Sequence, residues 1–193
     1  MTKVIMHTIV SVDGFIATDD DQVGPLFDWF QTGDVPLYEN ESIAVTQPTY
    51  EYYRPMLDAI GTLIVGRHVF DMTDGWGAKP PAGEHCVVVS HRPAPEGWDP
   101  EAPFHFVDNV TDAVQLAKEL AGDDRVVSIA AGDVGGQIFE AGLVDEVALD
   151  VVPVVFGSGK RYFGSLSKQV MLENPDEVVQ GDRVLHLRFR VRK

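Results

Sequence analysis

The chain has 193 residues, 45% of them apolar and 23% charged, the balance of an ordinary globular protein long enough to bury a sizeable core. Fifteen Lys and Arg against thirty Asp and Glu give a net charge of -15, which repels nucleic acid and anionic membrane surfaces over long range. No apolar run is long enough to span a bilayer, and the N-terminus MTKVIMHTIVSVDG enters a β-like run without signal-peptide anatomy. The single cysteine, Cys86 in the run HCVVVS, forms no internal disulfide and reads as a buried, inert thiol. Together these features predict a cytoplasmic protein, one domain over residues 1–193, with neither nucleic acid nor membrane as partner.

Residues 4–10 (VIMHTIV) have the length and composition of a strand, ended by the turn pair Asp13-Gly14. Phe15, Ile16 and Ala17 resume a short apolar piece. Residues 18–45 are acidic and broken by Gly and Pro, a long irregular segment with Trp29 and Phe30 as anchors. Residues 48–60 carry apolar side chains at helical spacing, with a break or kink expected at Pro55. Residues 62–65 form a buried strand running into Gly66-Arg67-His68 and a brief helix to Met72, followed by a loop with Trp76 between Gly75 and Gly77. Strands follow at 85–90 and 104–107. Residues 110–121 form a helix capped by Asn109 or Thr111. A strand at 126–130, a helix at 134–141 and a strand at 146–155 come next. Near the end, Leu185, Leu187, Phe189 and Val191 alternate with His186, Arg188, Arg190 and Arg192, the period of a half-exposed antiparallel strand near an edge. The alternation of strands and helices predicts an α/β layered fold, its sheet mostly parallel with an antiparallel end.

In open α/β sheets, ligands bind beyond the carboxyl ends of strands. Three such ends share a character: Val65 leads to Gly66-Arg67-His68, Val89 to Ser90-His91-Arg92, and Ala130 to Ala131-Gly132-Asp133. Two supply guanidinium groups in a cation-poor chain, and the third opens a helix whose first amides and dipole favour an anion. A dinucleotide with an extra phosphate would use all three, which points to NADPH over NADH. Each piece alone has a plainer reading, an Arg at the surface or a glycine in a tight turn, and the strict G-x-G-x-x-G fingerprint is missing.

Several separated motifs agree in order. The stretch GQIFEAGLVDEVALDVVPVVFGSGKRYF carries Ala-Gly-Leu-Val-Asp-Glu at 141–146, then Pro153, Gly157 with Gly159, and Phe163. SVDGFIA stands at 11–17 and LIVGRHVF at 63–70. In these the chain resembles the dihydrofolate-reductase-like family that includes the reductase (C-terminal) domain of the bifunctional riboflavin-biosynthesis enzyme, over nearly its whole length apart from residues 18–45. The resemblance implies a three-layer α-β-α fold with a mostly parallel central sheet and antiparallel C-terminal strands, an NADPH-dependent reductase, and a homodimer. It implies that Gly66, Arg67 and His68 hold the adenosine phosphates and that Ser90, His91 and Arg92 line the adenine-ribose end. Ala131, Gly132, Asp133, Val134 and Gly135 would cradle the pyrophosphate, while Ile16 and Ala17 lie against the nicotinamide.

Of two departures from the family pattern, the first bears on cofactor affinity, through a methyl on Ala131 that would crowd the cofactor, and the second on the substrate. The family often has consecutive glycines where this chain has Ala130-Ala131-Gly132. Folate enzymes place a carboxylate on the first helix, where this chain has Tyr50 with Glu51 beside it. Reduction of the phosphoribosylamino-pyrimidine, 5-amino-6-(5-phosphoribosylamino)uracil, is therefore favoured over dihydropterin or dihydrofolate reduction, with a catalytically silent nucleotide-binding protein as the third reading. Asp13, Tyr50 and Glu51 are the candidate catalytic proton donors; Asp13 is equally a turn former and Glu51 a solvated helix residue. Lys160 and Arg161 would hold a substrate phosphate, or else be surface charges. Trp29, Trp76 and Phe156 would wall the substrate pocket, or else belong to the core. With one cysteine the chain lacks the zinc-binding deaminase half of the riboflavin enzyme, and no metal ligand set is expected.

Overall fold

The computed structural model describes residues 2–38 and 43–192. The strands and helices run in chain order as β1 (Val4–Ser11), β2 (Phe15–Ala17), β3 (Val35–Pro36), β4 (Ala44–Val45), α1 (Gln47–Ala59), β5 (Ile60–Gly66), α2 (Arg67–Met72), β6 (His85–Val89) and β7 (Phe104–Val107). They continue as α3 (Val110–Ala121), β8 (Val126–Ile129), α4 (Asp133–Glu140), β9 (Glu146–Val152), β10 (Lys160–Arg161), β11 (Leu172–Gln180) and β12 (Leu185–Val191). Among the described residues, eight strands form one sheet in the order β11-β12-β9-β1-β8-β5-β6-β7. The run from β9 to β7 is parallel, and β12 and β11 are antiparallel. This is the mixed α/β architecture the alternation predicts.

The parallel strands read as near-continuous apolar runs because both their faces are covered. Successive side chains alternate between two layers. Val4, Met6 and Val10 of β1, with Ile64 and Val87, pack under α3 and α4 against Ala113, Ala117, Ile138 and Phe139. Ile9 turns to the opposite face, where Tyr52, Tyr53 and Met56 of α1 cover it with Leu26 and Trp29. On that face but further along the sheet, Leu63, Val65, Cys86 and Val88 meet Phe70 and Phe104 in a third cluster, and Trp76 packs there. Cys86 is fully buried, and burial pushes its thiol up to about 12.

Two expectations need correction, the break at Pro55 and the irregularity of residues 18–45. α1 runs through Pro55 without interruption. Pro55 is exposed, so the Glu51 carbonyl that loses its partner faces water, while buried Tyr52, Tyr53 and Met56 pin the helix on both sides. As its period predicts, β12 is antiparallel and lies near an edge, between the edge strand β11 and β9. The segment LENPDEVVQ of β11 carries charges and a proline-linked irregularity in place of apolar alternation, as an edge strand does. Residues 18–45 are not wholly irregular: a 3-10 helix spans Gly24–Gln31, and β3 pairs with β4, residues 39–42 lying outside the description. Trp76 belongs to the third core cluster, in a turn where Gly75, Trp76 and Gly77 all have positive φ. The α3 cap is Asn109, whose side chain accepts from the Asp112 amide at 2.9 Å.

Candidate functional site

The β1–β2 turn begins the site. Gly14 takes φ 90 and its amide donates to Ser11 O at 3.0 Å, closing the turn. Asp13 points out of it to a second loop: its two carboxylate oxygens accept the amides of Phe156 at 3.1 Å and Gly157 at 2.7 Å, and Ser11 Oγ donates to it at 2.6 Å. That clasp sets β10 antiparallel to β2, with Lys160 opposite Ala17 and Arg161 opposite Phe15. A side chain at Gly159 would place Cβ 2.1 Å from Ala17 O, so only glycine lets the ribbon close. Beyond β10, the Tyr162 amide donates to Gly14 O and its carbonyl accepts from Gly132 at 2.7 Å. The buried Tyr162 hydroxyl donates toward Met6 O and Ala148 O at 2.8 and 2.9 Å. The ribbon is thereby sewn to the carboxyl end of β8.

Between ribbon and sheet lies a cleft of about 210 Å³ lined by Ile16, Gly66, Arg67, His68, Ala131, Gly132, Asp133, Val134, Lys160 and Arg161. It adjoins a hollow of about 450 Å³ that includes Ser90, His91 and Arg92, the two sharing Arg67 and Val134. The three strand ends predicted to act together are therefore contiguous. Gly132, at φ 101, turns the chain from β8 into α4, and a Cβ there would come within 3.3 Å of Ile16 Cδ1. Among the described residues no side chain caps α4, in contrast to α3, so its first-turn amides, which have no intrahelical partner in any helix, gain no capping side chain either. An anion-accepting helix start, a glycine where the walls come closest and flanking cations fit a dinucleotide. Ala131 donates its amide to Thr8 Oγ1 at 3.1 Å and has ordinary backbone geometry, so its methyl replaces a glycine without strain.

Other predicted residues fall elsewhere. Gly135 is buried beneath the helix, where a Cβ would stand 2.7 Å from Ala130 O, so its task is close packing. Ala17 pairs in the ribbon. Asp13 is unsuited to proton donation: the Ser11 hydroxyl and the Gly157 and Phe156 amides hold its carboxyl below the usual range. Tyr50 packs partly buried on the second cluster. Glu51 is exposed, bonded to Gln47 at 2.9 Å, and faces a separate groove of about 500 Å³ shared with Lys3, Glu177 and Arg188. Trp29 is 0% exposed and walls no cleft; its ring lies 4.2 Å from Phe30 and 5.4 Å from His186. Phe156 is half-buried beside Gly24.

The cleft's cations are already partnered. Asp21 reaches His68 at 3.1 Å and Lys160 at 3.7 Å, tying opposite walls together, and His68 holds its carboxyl below the usual range. Arg67 Nη1 donates to Pro93 O at 2.7 Å and to Ser90 Oγ at 3.3 Å. Arg161 lies over the Phe15 ring at 5.6 Å.

One polar group escaped the sequence reading. Asp150 is fully buried, accepting from His7 Nε2 at 2.7 Å and from His186 Nδ1 at 2.6 Å, while His186 Nε2 meets Thr49 Oγ1 at 3.2 Å. Burial opposes its charge, but the two imidazoles overcome it and bring the carboxyl to about 2. The signal was present as His7, Asp150 and His186 inside the otherwise mostly apolar runs VIMHTIV, VALDVV and VLHLRF.

The model of the RibD C-terminal domain family matches residues 2–187. No curated protein matches the chain in sequence. Among solved structures, a candidate riboflavin biosynthesis protein from Shewanella sp. PV-4 superposes with TM-score 0.70 at 18% identity, each chain covering all of the other. A Thermotoga maritima diaminohydroxyphosphoribosylaminopyrimidine deaminase/5-amino-6-(5-phosphoribosylamino)uracil reductase gives TM-score 0.65 at 13% identity, and Acinetobacter baumannii RibD gives 0.65 at 15%. The chain is covered to 99% and 100% in these two and spans 57% and 58% of their length. At these identities the structures establish the fold, here a dihydrofolate-reductase-like one. The family match over nearly every residue establishes the rest: the chain belongs to the RibD C-terminal domain family.

Proposed function

We propose that this chain is an NADPH-dependent reductase of a small heterocyclic substrate, its nearest reaction being reduction of 5-amino-6-(5-phosphoribosylamino)uracil. The observation that carries the reading is the convergence of the ends of β5, β6 and β8 on two adjoining pockets that share Arg67 and Val134. The α4 amides at Asp133 and Val134 would take the pyrophosphate, His91 and Arg92 the adenosine end, and Ile16 would lie against the nicotinamide. When bound, the dinucleotide supplies the hydride. The chain's own work is orientation: Gly132 keeps the gap to Ile16 open, and the β2–β10 ribbon covers the cleft from water. Lys160 and Arg161, both exposed at the mouth, would receive the substrate phosphate. With Asp13 held as a carboxylate and Glu51 in another groove, water at the mouth would deliver the proton.

Reduction of a pterin ring is the weaker reading, since neither Tyr50 nor Glu51 places an α1 carboxylate among the cleft residues. The test is loss of NADPH absorbance in the presence of phosphoribosylamino-pyrimidine and pterin panels. Turnover of the pyrimidine, with Lys160→Ala raising KM more than it lowers kcat, is the expected result. Tight NADPH binding with no turnover of either panel would leave a nucleotide-binding protein and end the reductase proposal.

A further inference from the structure

At the adenosine end of the cleft, the arginines following β5 and β6 already share an anion. Asp71, one turn along α2 from Arg67, accepts Arg67 Nε at 2.6 Å on one oxygen and Arg92 Nη2 at 2.8 Å on the other. Arg67 first and Arg92 second hold its carboxyl below the usual range. The two arginines are not equivalent. Arg67 is 14% exposed and committed to Pro93 O and Ser90 Oγ, so it fixes the loop after β6. Arg92 is 65% exposed and free to turn toward a ligand.

A carboxylate that bridges two guanidiniums occupies the donors a phosphate monoester would use. A ribose phosphate entering here must share those donors with Asp71 and sit beside its charge, whereas an unphosphorylated ribose meets no such competition. We propose that Asp71 is the specificity-determining residue of the cleft: standing in for a ribose phosphate between Arg67 and Arg92, it holds the preference for a 2′-phosphorylated over an unphosphorylated dinucleotide to a modest ratio. This rests on the dinucleotide reading above. Arg92 is the group that a 2′-phosphate captures, and Asp71 is what it captures it from.

The test is calorimetric binding of 2′,5′-ADP and 5′-AMP to the wild-type chain, Asp71→Asn and Arg92→Ala, with folding checked by thermal melting. Asparagine keeps a hydrogen-bond acceptor while removing the charge. The wild type should favour 2′,5′-ADP by less than about tenfold, Asp71→Asn should widen that ratio about tenfold with 5′-AMP affinity unchanged, and Arg92→Ala should bring the ratio toward unity. The widening should shrink in high salt, because the carboxylate is partly exposed. An unchanged or smaller ratio in Asp71→Asn would overturn the inference while leaving the dinucleotide site intact. If Asp71→Asn does not fold, a wild-type preference above about tenfold, or an unaltered ratio in Arg92→Ala, overturns it equally. Failure of all three proteins to bind either fragment or either dinucleotide would remove the cleft reading and this inference with it.

Discussion

Asp150 shows how one residue can dominate the interior. It sits in the middle of β9 without solvent and is balanced by imidazoles from β1 and β12. Its folded value of about 2 lies below the ordinary 3.8. The depressed carboxyl therefore adds stability above the unfolded value and loses it as pH falls from about 4 toward 2, an effect of roughly 2 kcal/mol. Asp150→Asn should destabilise the chain at neutral pH by about 3 kcal/mol, because two buried ring nitrogens lose their anionic partner. In urea unfolding, the gap between wild type and variant should narrow through that acidic window. A gap independent of pH would mean that the carboxylate is not charged in the fold. Sequence reasoning passes over this network because a histidine in an apolar strand carries no sign of its partner, which lies 143 positions away.

Among the elements, the β2–β10 ribbon has the weakest claim to stability by itself: its two short strands hold position through the Asp13 clasp and the Tyr162 bonds. Asp13→Ala should free the Phe156 and Gly157 amides to exchange faster and weaken ligand binding, with little change in the melting temperature. Equal loss of global stability would make the clasp a core feature instead. Gly136 is under a different constraint, since a Cβ there would stand 2.1 Å from Phe163 O. Gly136→Ala should cost about 2 kcal/mol by pushing α4 off the ribbon, measurable as a lower urea midpoint. The parallel strands, α3 and α4 are legible in sequence because continuous apolar runs and 3.6-residue periodicity arise from the burial that forms them. β11 is not, since its residues answer to the requirements of an edge. The strand-end motifs of the cleft are legible for a topological reason: a parallel sheet brings the residues after its strands to one end whatever the chain separation. Trp29 and Glu51 take the plainer of the two readings open to each, core and solvated helix face, and composition alone does not choose because it does not say which way a helix face turns.

For the whole molecule, the net charge of -15 surrounds a cleft whose cations are paired internally. An anionic cofactor must approach against that field, so its association rate should rise as salt is added at low ionic strength, until screening reaches the cleft itself. Stopped-flow rates that fall steadily with salt would show local attraction by Arg92, Lys160 and Arg161 to outweigh the global charge. The central claim is that the united ends of β5, β6 and β8 form a dinucleotide site. It is tested most directly by titrating NADPH into the chain and into Gly132→Val, whose side chain must enter the gap beside Ile16 at a backbone angle that disfavours it. Saturable one-to-one binding by the wild type, lost in a folded Gly132→Val, is the expected result. Absence of NADPH binding by the wild type, or equal binding by both proteins, would contradict it.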